Sequence, residues 1–318
     1  MKHENVVLFD NKGLPSIMVK FTPEDGKPLD PMFIIGGRRA KAIYISKYGN
    51  TMIKGAPCSV PFAQPANDYT LDEASELCRS KGPGWHLMTT AEWEYLHNES
   101  IEGGTLPHGN TDCGKYFWDK SEAGERYDYG HTLAGSGPTT WSHTHDETGV
   151  YDLCGNNWEL TAGSRISKGR IEYIKDNDAA VADISKGSEA WQPAKTAAGE
   201  DIYIIPTEDG LQLTTSRPDE LETDWNGCPF KNLEVKLDEV PEILKQLGFI
   251  PENIAEEKAY IYADAELEEA LPFRGSYFSI TSFGGVGALY LSYARSNSSN
   301  SIGFRSAYYE LEELETEN

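Results

Sequence analysis

The residues whose types could do chemistry are concentrated late in the chain, in residues 274–309. This window of 36 residues contains no Asp, Glu or Lys, although the whole chain has 51 acidic and 28 basic residues. Nine serines and five glycines are interleaved with eight aromatic residues: Tyr277, Phe278, Phe283, Tyr290, Tyr293, Phe304, Tyr308 and Tyr309. Aromatic rings give large contact area at low entropic cost and Ser and Gly adapt locally, so this composition favours a recognition surface. A run of core strands is the alternative that composition leaves open.

Histidines and cysteines offer little for metal chemistry. His143 and His145 precede Asp146, but no third ligand follows at a fixed spacing, so we interpret this stretch as a surface loop and not a zinc site. The five cysteines are far apart and form no C-x-x-C pair. We therefore expect free, mostly buried thiols, and neither a zinc ribbon nor a disulfide framework.

Five ordered motifs resemble the formylglycine-generating enzyme, or sulfatase-modifying, family. Residues 149–161 read GVYDLCGNNWELT, which resembles the family's GLYDMxGNVWEWT; we call them the signature turn. Upstream, DEASELC (72–78) and WHLMTTAEWEYL (85–96) resemble its two helices. Downstream, LPFRGS (271–276) resembles RGGSW, and ARSN with IGFR (294–305) resembles the last segment. The resemblance implies an α+β C-type lectin fold in its sulfatase-modifying-factor variant.

The family resemblance leaves two kinds of function open. The oxidases of the family use a pair of cysteines in the last segment, one of them after GFR, to hold copper. This chain has Ser306 at that position and no cysteine beyond Cys228, so the thiolates that such chemistry needs are absent. We predict a binding protein and not an enzyme. An oxidase or other enzyme of the same fold with altered metal chemistry is the alternative.

The last segment is most similar to the variable proteins of diversity-generating retroelements, whose mutable sites are Asn codons in a template. Adenine-directed mutation of AAC codons cannot give Lys, Glu, Gln, Met or Trp, and residues 274–309 contain none of these. The resemblance implies a ligand surface made of seven residues, here called the variable positions: Tyr277, Ser279, Ile280, Phe283, Tyr290, Ser292 and Tyr293. An alternating strand would bury Leu289 and Leu291 and turn Tyr290 and Ser292 outward.

The same family resemblance implies a calcium site in the signature turn, although no cofactor is required for binding. The ligands would be the side chain of Asp152, the carbonyl oxygens of Gly155 and Asn157, and the carboxylate of Glu159. Oxygen ligands on a tight turn suit Ca²⁺. The alternative is that Asp152 and Glu159 only hold the loop by hydrogen bonds.

The net charge and the amino-terminal sequence restrict the classes of partner and the cellular location that we expect. The net charge of −23 repels phosphate backbones and anionic lipids, so we expect neither nucleic acid nor membrane insertion. No signal peptide precedes residue 10, which fits a phage tail or prophage-encoded protein made in the bacterial cytoplasm. The expected partner is a protein or glycan receptor on a target cell surface, and related phage proteins suggest a homotrimer.

Several predicted elements must position these residues. Capping boxes begin helices at 71–80 (Thr70, Glu73) and 91–97 (Thr89, Glu92), and another helix is predicted at 239–247. Residues 1–60 read as short strands, and 100–148 as ordered loop packed under Trp118 and Trp141. The predicted organisation is an N-terminal β segment (1–40), a lectin-like domain in two parts (41–162 and 271–309), an inserted acidic subdomain (163–270) and an acidic tail (310–318).

Overall fold

Antiparallel and mixed β-sheets make up most of the regular structure, and helices are few. The computed structural model describes residues 3–252, 254–255 and 257–313. The strands of this part of the chain are β1 Glu4–Phe9, β2 Pro15–Phe21, β3 Ile34–Ile35, β4 Arg38–Ser46, β5 Thr51–Ile53, β6 Ala56–Cys58, β7 Trp85–Leu87, β8 Trp158–Leu160, β9 Ser164–Ser167, β10 Arg170–Tyr173, β11 Gln192–Pro193, β12 Tyr203–Thr207, β13 Gly210–Thr214, β14 Trp225–Pro229, β15 Glu234–Lys236, β16 Tyr260–Asp264, β17 Phe273–Arg274, β18 Leu289–Leu291, β19 Ile302–Phe304 and β20 Ser306–Leu311.

The described residues form three α-helices, α1 Leu71–Arg79, α2 Thr90–Gly103 and α3 Glu242–Gln246. Both predicted capping boxes are formed, with Thr70 and Thr89 as N-caps, because the capping Glu lies three residues further on in each case. Helix α2 is longer than predicted and ends only at Gly104, which adopts the left-handed conformation. Helix α3 starts later than predicted because Pro241 is its N-cap.

One six-stranded sheet joins the two ends of the described chain. Its order is β1-β2-β4-β20-β7, with β3 added to β4. Glu310 and Leu311, which were predicted to begin a solvated acidic tail, are instead the last residues of β20 and pair with β4. That part of the tail prediction is wrong, since the pairing of β20 with β4 continues past Tyr309. Residues 314–318 lie outside the described part.

Residues 163–270 supply a second sheet and part of a third. The second sheet has the order β11-β10-β12-β13-β15, with β9 added to β10. The third, here called the contact sheet, has the order β14-β16-β18-β17-β8-β19. Strands β14 and β16 come from the predicted insertion, whereas the other four carry the signature turn and residues 271–309. A segment predicted to stand apart therefore extends the sheet that carries several of the variable positions.

The loop between α2 and the signature turn is only partly packed as expected. Trp141 is fully buried, but Trp118 is 56% exposed, so the prediction that both indoles lie under this loop is wrong for Trp118. All five cysteines are free thiols and four of them are buried, which confirms the expectation from their spacing. No helix in the described residues is long and apolar enough to cross a membrane.

Candidate ligand-binding surface

The signature turn and strand β17 together fix the backbone where the variable positions begin. Strand β17 pairs with β8 on one side and with β18 on the other. Gly275, at a φ of 80°, accepts a hydrogen bond from the Gly155 amide at 2.8 Å, and a side chain there would collide with the Leu153 carbonyl and crowd Trp93. The chain therefore leaves the sheet at a fixed point before Tyr277.

Strand β18 divides its side chains between core and surface as predicted. Leu289 and Leu291 are buried, with Val286 also buried just before the strand, while Tyr290 between them is partly exposed. None of the seven variable positions is buried, and Phe283 is the most exposed at 40%. Backbone geometry thus presents all seven side chains while their neighbours in β18 hold the sheet to the core.

Three variable tyrosines gather around one buried indole. The ring of Trp158, in β8, lies 5.5 Å from that of Tyr290 and 6.2 Å from that of Tyr277. Tyr290 and Tyr293 have centroids 4.8 Å apart, and Tyr293 meets the buried ring of Phe273 edge-on. Burial raises the pKa of Tyr290 above its ordinary value, so its phenol keeps its proton at neutral pH.

The other variable positions lie around a short 3-10 turn at Thr281–Phe283. The Ile280 amide donates to the carbonyl of Tyr277 at 3.2 Å, and Thr281 donates to Thr111 at 2.8 Å, which ties the turn to the loop after α2. Ile280 is half-buried and packs against the core. Ser279 and Ser292 are also half-buried. The ring of Phe283 lies 4.3 Å from that of Tyr260, tilted by 44°.

Three aromatic residues of β14 and β16 were missed from the sequence: Trp225, Tyr260 and Tyr262, here called the aromatic row. Tyr262 and Tyr290 are paired residues of adjacent strands, and their rings are 5.2 Å apart. The signal was the alternation in residues 259–263, where Ala259, Ile261 and Ala263 are fully buried and the two tyrosines between them are not. Only the parallel pairing of β16 with β18 brings this row beside the variable positions.

Buried charges lie directly under the Gly-rich stretch before β18. His97 of α2 has one ring nitrogen 3.2 Å from Glu257 and the other 3.4 Å from Glu94. Glu94 also pairs with the fully buried Arg274. Burial favours the neutral form of Glu257, but the hydrogen bond and charge of His97 outweigh it and lower the pKa of that carboxyl below its usual value. A side chain at position 287 would collide with the Glu257 carboxylate, so the backbone of this Gly-rich stretch packs directly on the buried charges.

The four predicted calcium ligands lie together in the signature turn, but an arginine already satisfies one of them. Arg305 contacts both oxygens of Glu159, with its Nε 2.6 Å from Oε2, and also donates to the carbonyl of Tyr151. Asp152 accepts a hydrogen bond from Gly135, and burial raises its pKa to about 6. These bonds match the alternative in which Asp152 and Glu159 hold the loop, and the Ca²⁺ site stays a prediction from the resemblance.

A histidine cluster forms elsewhere, and its hydrogen bonds argue against a metal. His3, Glu99 and His143 place ligand atoms within 4.8 Å of one another. The Val150 amide donates to Nδ1 of His143 at 2.7 Å, so Nε2 of the neutral ring carries the proton and has no lone pair to offer. Nδ1 can accept this bond only while Nε2 is protonated. His145 lies apart and contacts the carbonyl of Leu106.

Position 306 is buried in the core. The oxidases of the family that the sequence resembles carry a cysteine at this position. Ser306 is fully buried, and its hydroxyl lies 3.0 Å from that of Ser46. The nearby Ser46 carbonyl accepts from Arg305 at 2.9 Å. The position serves the packing of β20 against β4.

The comparisons with known proteins give weak structural likenesses. No protein-family model matches the chain, and no curated protein does. It is similar to the structure of PvdO from Pseudomonas aeruginosa, with 14% identity, a TM-score of 0.39 and 96% and 98% of the two chains covered. It is also similar to the Major Tropism Determinant I1 variant (13%, TM-score 0.37, 98% and 56% covered) and to the P3c variant (13%, 0.33, 98% and 64%). The chain thus spans less than two thirds of those tropism determinants.

Proposed function

We propose that this chain is a ligand-binding protein whose variable positions are diversified by a retroelement, and that it serves as a receptor-binding protein of a phage tail. The observation that carries the proposal is the split along β18: the side chains assigned as mutable, apart from the buried hydroxyl of Ser292, are partly or fully accessible, while Leu289 and Leu291 beside them are fully buried. Function then lies in side-chain identity and not in backbone shape.

The composition of the surface supports recognition. Tyr277, Phe283, Tyr290 and Tyr293 are the expected anchors, because large rigid rings supply most of the contact energy in such surfaces. Ser279 supplies an adaptable hydrogen bond, whereas the hydroxyl of Ser292 is buried. The fold we propose is the C-type lectin fold of the sulfatase-modifying type, and the function needs no cofactor.

The proposal of a binding protein over an enzyme rests on the absence of thiolates in the sequence beyond Cys228 and on the sealed position of Ser306. An enzyme of this fold would need another reactive group at the surface described above. The phenols of Tyr262 and Tyr290 have pKa values raised by burial, which makes them poor bases at neutral pH.

The retroelement is tested by sequencing the DNA on both sides of the gene. We expect a near-copy of the segment that encodes residues 274–305, differing at adenines of the variable codons, together with a reverse transcriptase gene. A flank without the near-copy would overturn the proposed diversification, whatever the chain binds.

Binding is tested with the fluorescently labelled chain and a panel of bacterial cells. We expect at least one strain to be stained, and staining to fall at least tenfold when Tyr277, Phe283, Tyr290 and Tyr293 are all replaced by Ala. Phe9→Ala is the matched control, because Phe9 is an exposed ring on β1, in a different sheet. Equal staining by the fourfold variant would exclude this surface as the receptor-binding site.

A further inference from the structure

The aromatic row consists of three side chains from two antiparallel strands, outside the segment that carries the variable positions. The ring of Trp225 is nearly parallel to that of Tyr262, at 13° and 6.1 Å, and Tyr262 to that of Tyr260, at 26° and 5.8 Å. Trp225 is 46% exposed and the two tyrosines are half-buried. Their spacing is regular because all three stand on one face of β14 and β16.

A glycine in β14 makes room for the row. Gly227 is the paired residue of Tyr262, and a Cβ there would collide with the Tyr262 ring. The ring therefore lies over the backbone of β14 between the other two members of the row. Any side chain at position 227 would displace the Tyr262 ring, so the row requires glycine at this position of β14.

Two contacts join the row to the variable positions. Tyr262 touches Tyr290 at 5.2 Å, and Tyr260 touches Phe283 at 4.3 Å. A ligand large enough to cover Tyr290 and Phe283 must also meet the row. If the proposed function is correct, these three side chains stay constant while their neighbours change.

The strand pairing places one charged group beside the row: Asp264 is the paired residue of Trp225 and lies on the same face of β16 as Tyr262. Residues 274–309 contain three charged residues, all arginines, and each pairs with a carboxylate: Arg274 with Glu94, Arg295 with Glu269, and Arg305 with Glu159. The other accessible polar groups are hydroxyls and amides from tyrosine, serine and asparagine. A net charge of −23 on the chain disfavours an anionic polymer as ligand.

We propose that the aromatic row is a constant part of the ligand-binding surface and that its ligand is an uncharged carbohydrate chain. This inference rests on the proposed function and restricts its ligand to one class. The C–H faces of sugar rings pack on aromatic rings, and a row of rings spaced about 6 Å apart offers successive units a repeated contact. Sugar hydroxyls exchange hydrogen bonds with neutral partners without the desolvation of a charge.

This arrangement assigns different tasks to the two groups of residues. The row supplies apolar contact that any neutral sugar chain can use, and the variable positions select among such chains by shape and hydrogen bonding. Buried polar partners discriminate strongly, because an unmatched hydroxyl is left unpaired.

The test is native affinity electrophoresis of the full chain through gels that contain dextran, hydroxyethyl cellulose or yeast mannan, with hyaluronan as the acidic comparison. The acidic chain migrates readily, so retardation measures binding. We expect retardation by at least one neutral polymer and none by hyaluronan. Trp225→Ala and Tyr262→Ala should each weaken the apparent affinity about tenfold or more, which corresponds to about 1.4 kcal/mol.

Two further variants keep the test decisive. Gly227→Ala displaces the Tyr262 ring without removing an aromatic residue and should also weaken retardation, whereas Phe9→Ala should leave it unchanged. Thermal unfolding verifies that every variant is folded before it is scored. Absence of retardation by all three neutral polymers, or equal retardation of Trp225→Ala and the unmodified chain, would overturn the inference. If the staining of cells depended on Tyr290 but not on Trp225, the inference would also be overturned. The proposed function would then be retained.

Discussion

Tyr290 occupies the centre of the contact surface at the scale of single residues. Its ring contacts Trp158 below, Tyr293 beside it and Tyr262 on the neighbouring strand. The residues before and after it in β18 contribute to the core. One strand of three residues therefore carries a binding task and a folding task on alternate side chains, and the two tasks are separable by substitution.

We predict that Tyr290→Ala costs about 1–2 kcal/mol of unfolding free energy, because part of the ring faces solvent and its ring contacts are lost without a fully buried cavity. Leu291→Ala should cost about 2–5 kcal/mol, since it leaves a cavity beside β16 in a fully buried position. Urea unfolding at pH 7 measures both. Equal costs for the two variants would contradict the separation of surface from core that the proposed function requires.

A second residue-scale prediction concerns acid. The pKa of Glu257 is lower in the folded chain than its ordinary value of 4.5, so its contribution to stability is present above about pH 4.5 and is lost as the pH falls through the folded value. Glu257→Gln should cost about 1–3 kcal/mol at pH 7, because His97 and the Ala259 amide lose a charged acceptor. The Tm of the variant should then depend less on pH below 4.5. Parallel Tm curves from pH 7 to pH 3 would contradict this assignment.

At the scale of secondary-structure elements, some features were predictable from the sequence and others were not. The starts of α1 and α2 depend on residues three positions apart, so Thr70 and Thr89 identified them correctly. The burial of Leu289 and Leu291 followed from alternation within one strand. The aromatic row was not predictable in the same way, because β16 joins β18 by a parallel pairing between residues 28 positions apart, such as Tyr262 and Tyr290. Local pattern specifies an element, whereas its neighbours depend on the whole chain.

Helix α3 is held against the buried charges by the turn that ends it. Gly248 follows the helix at a φ of 71°, and a Cβ there would collide with the Glu94 and Arg274 ion pair. We predict that Gly248→Ala costs at least about 1 kcal/mol from the left-handed backbone alone, and more from the collision. Gly199→Ala is the matched control, since Gly199 has a φ of 86° with open space around it. Thermal unfolding of both variants separates backbone strain from the steric effect; equal losses would mean that the ion pair yields without cost.

At the scale of the whole molecule, the variable positions lie in a segment (residues 273–304, here called the variable segment) whose two ends are strands of the contact sheet. Strand β17 begins it between β8 and β18, and β19 ends it beside β8. Strand β20 follows at once and lies between β4 and β7, where it pairs with both. Side chains between these anchors can change while the path of the backbone is kept, which is the property that a diversified surface needs.

The last strand should therefore be essential although it lies outside the variable positions. We predict that a chain ending at Arg305 does not fold, because removing β20 leaves β4 and β7 without their shared partner and uncovers the fully buried Ile45, the paired residue of Ala307. A chain ending at Leu311 keeps the whole strand and should unfold within a few degrees of the full chain, because the described contacts that it loses are the exposed ones of Glu312. These are the ion pair with Arg39, the bond from the Glu312 amide to the Arg39 carbonyl and the bond from Arg38 to the Glu312 carbonyl. Circular dichroism and thermal unfolding of the two truncations provide the measurement. A folded chain ending at Arg305 would mean that the variable segment is held by the contact sheet alone.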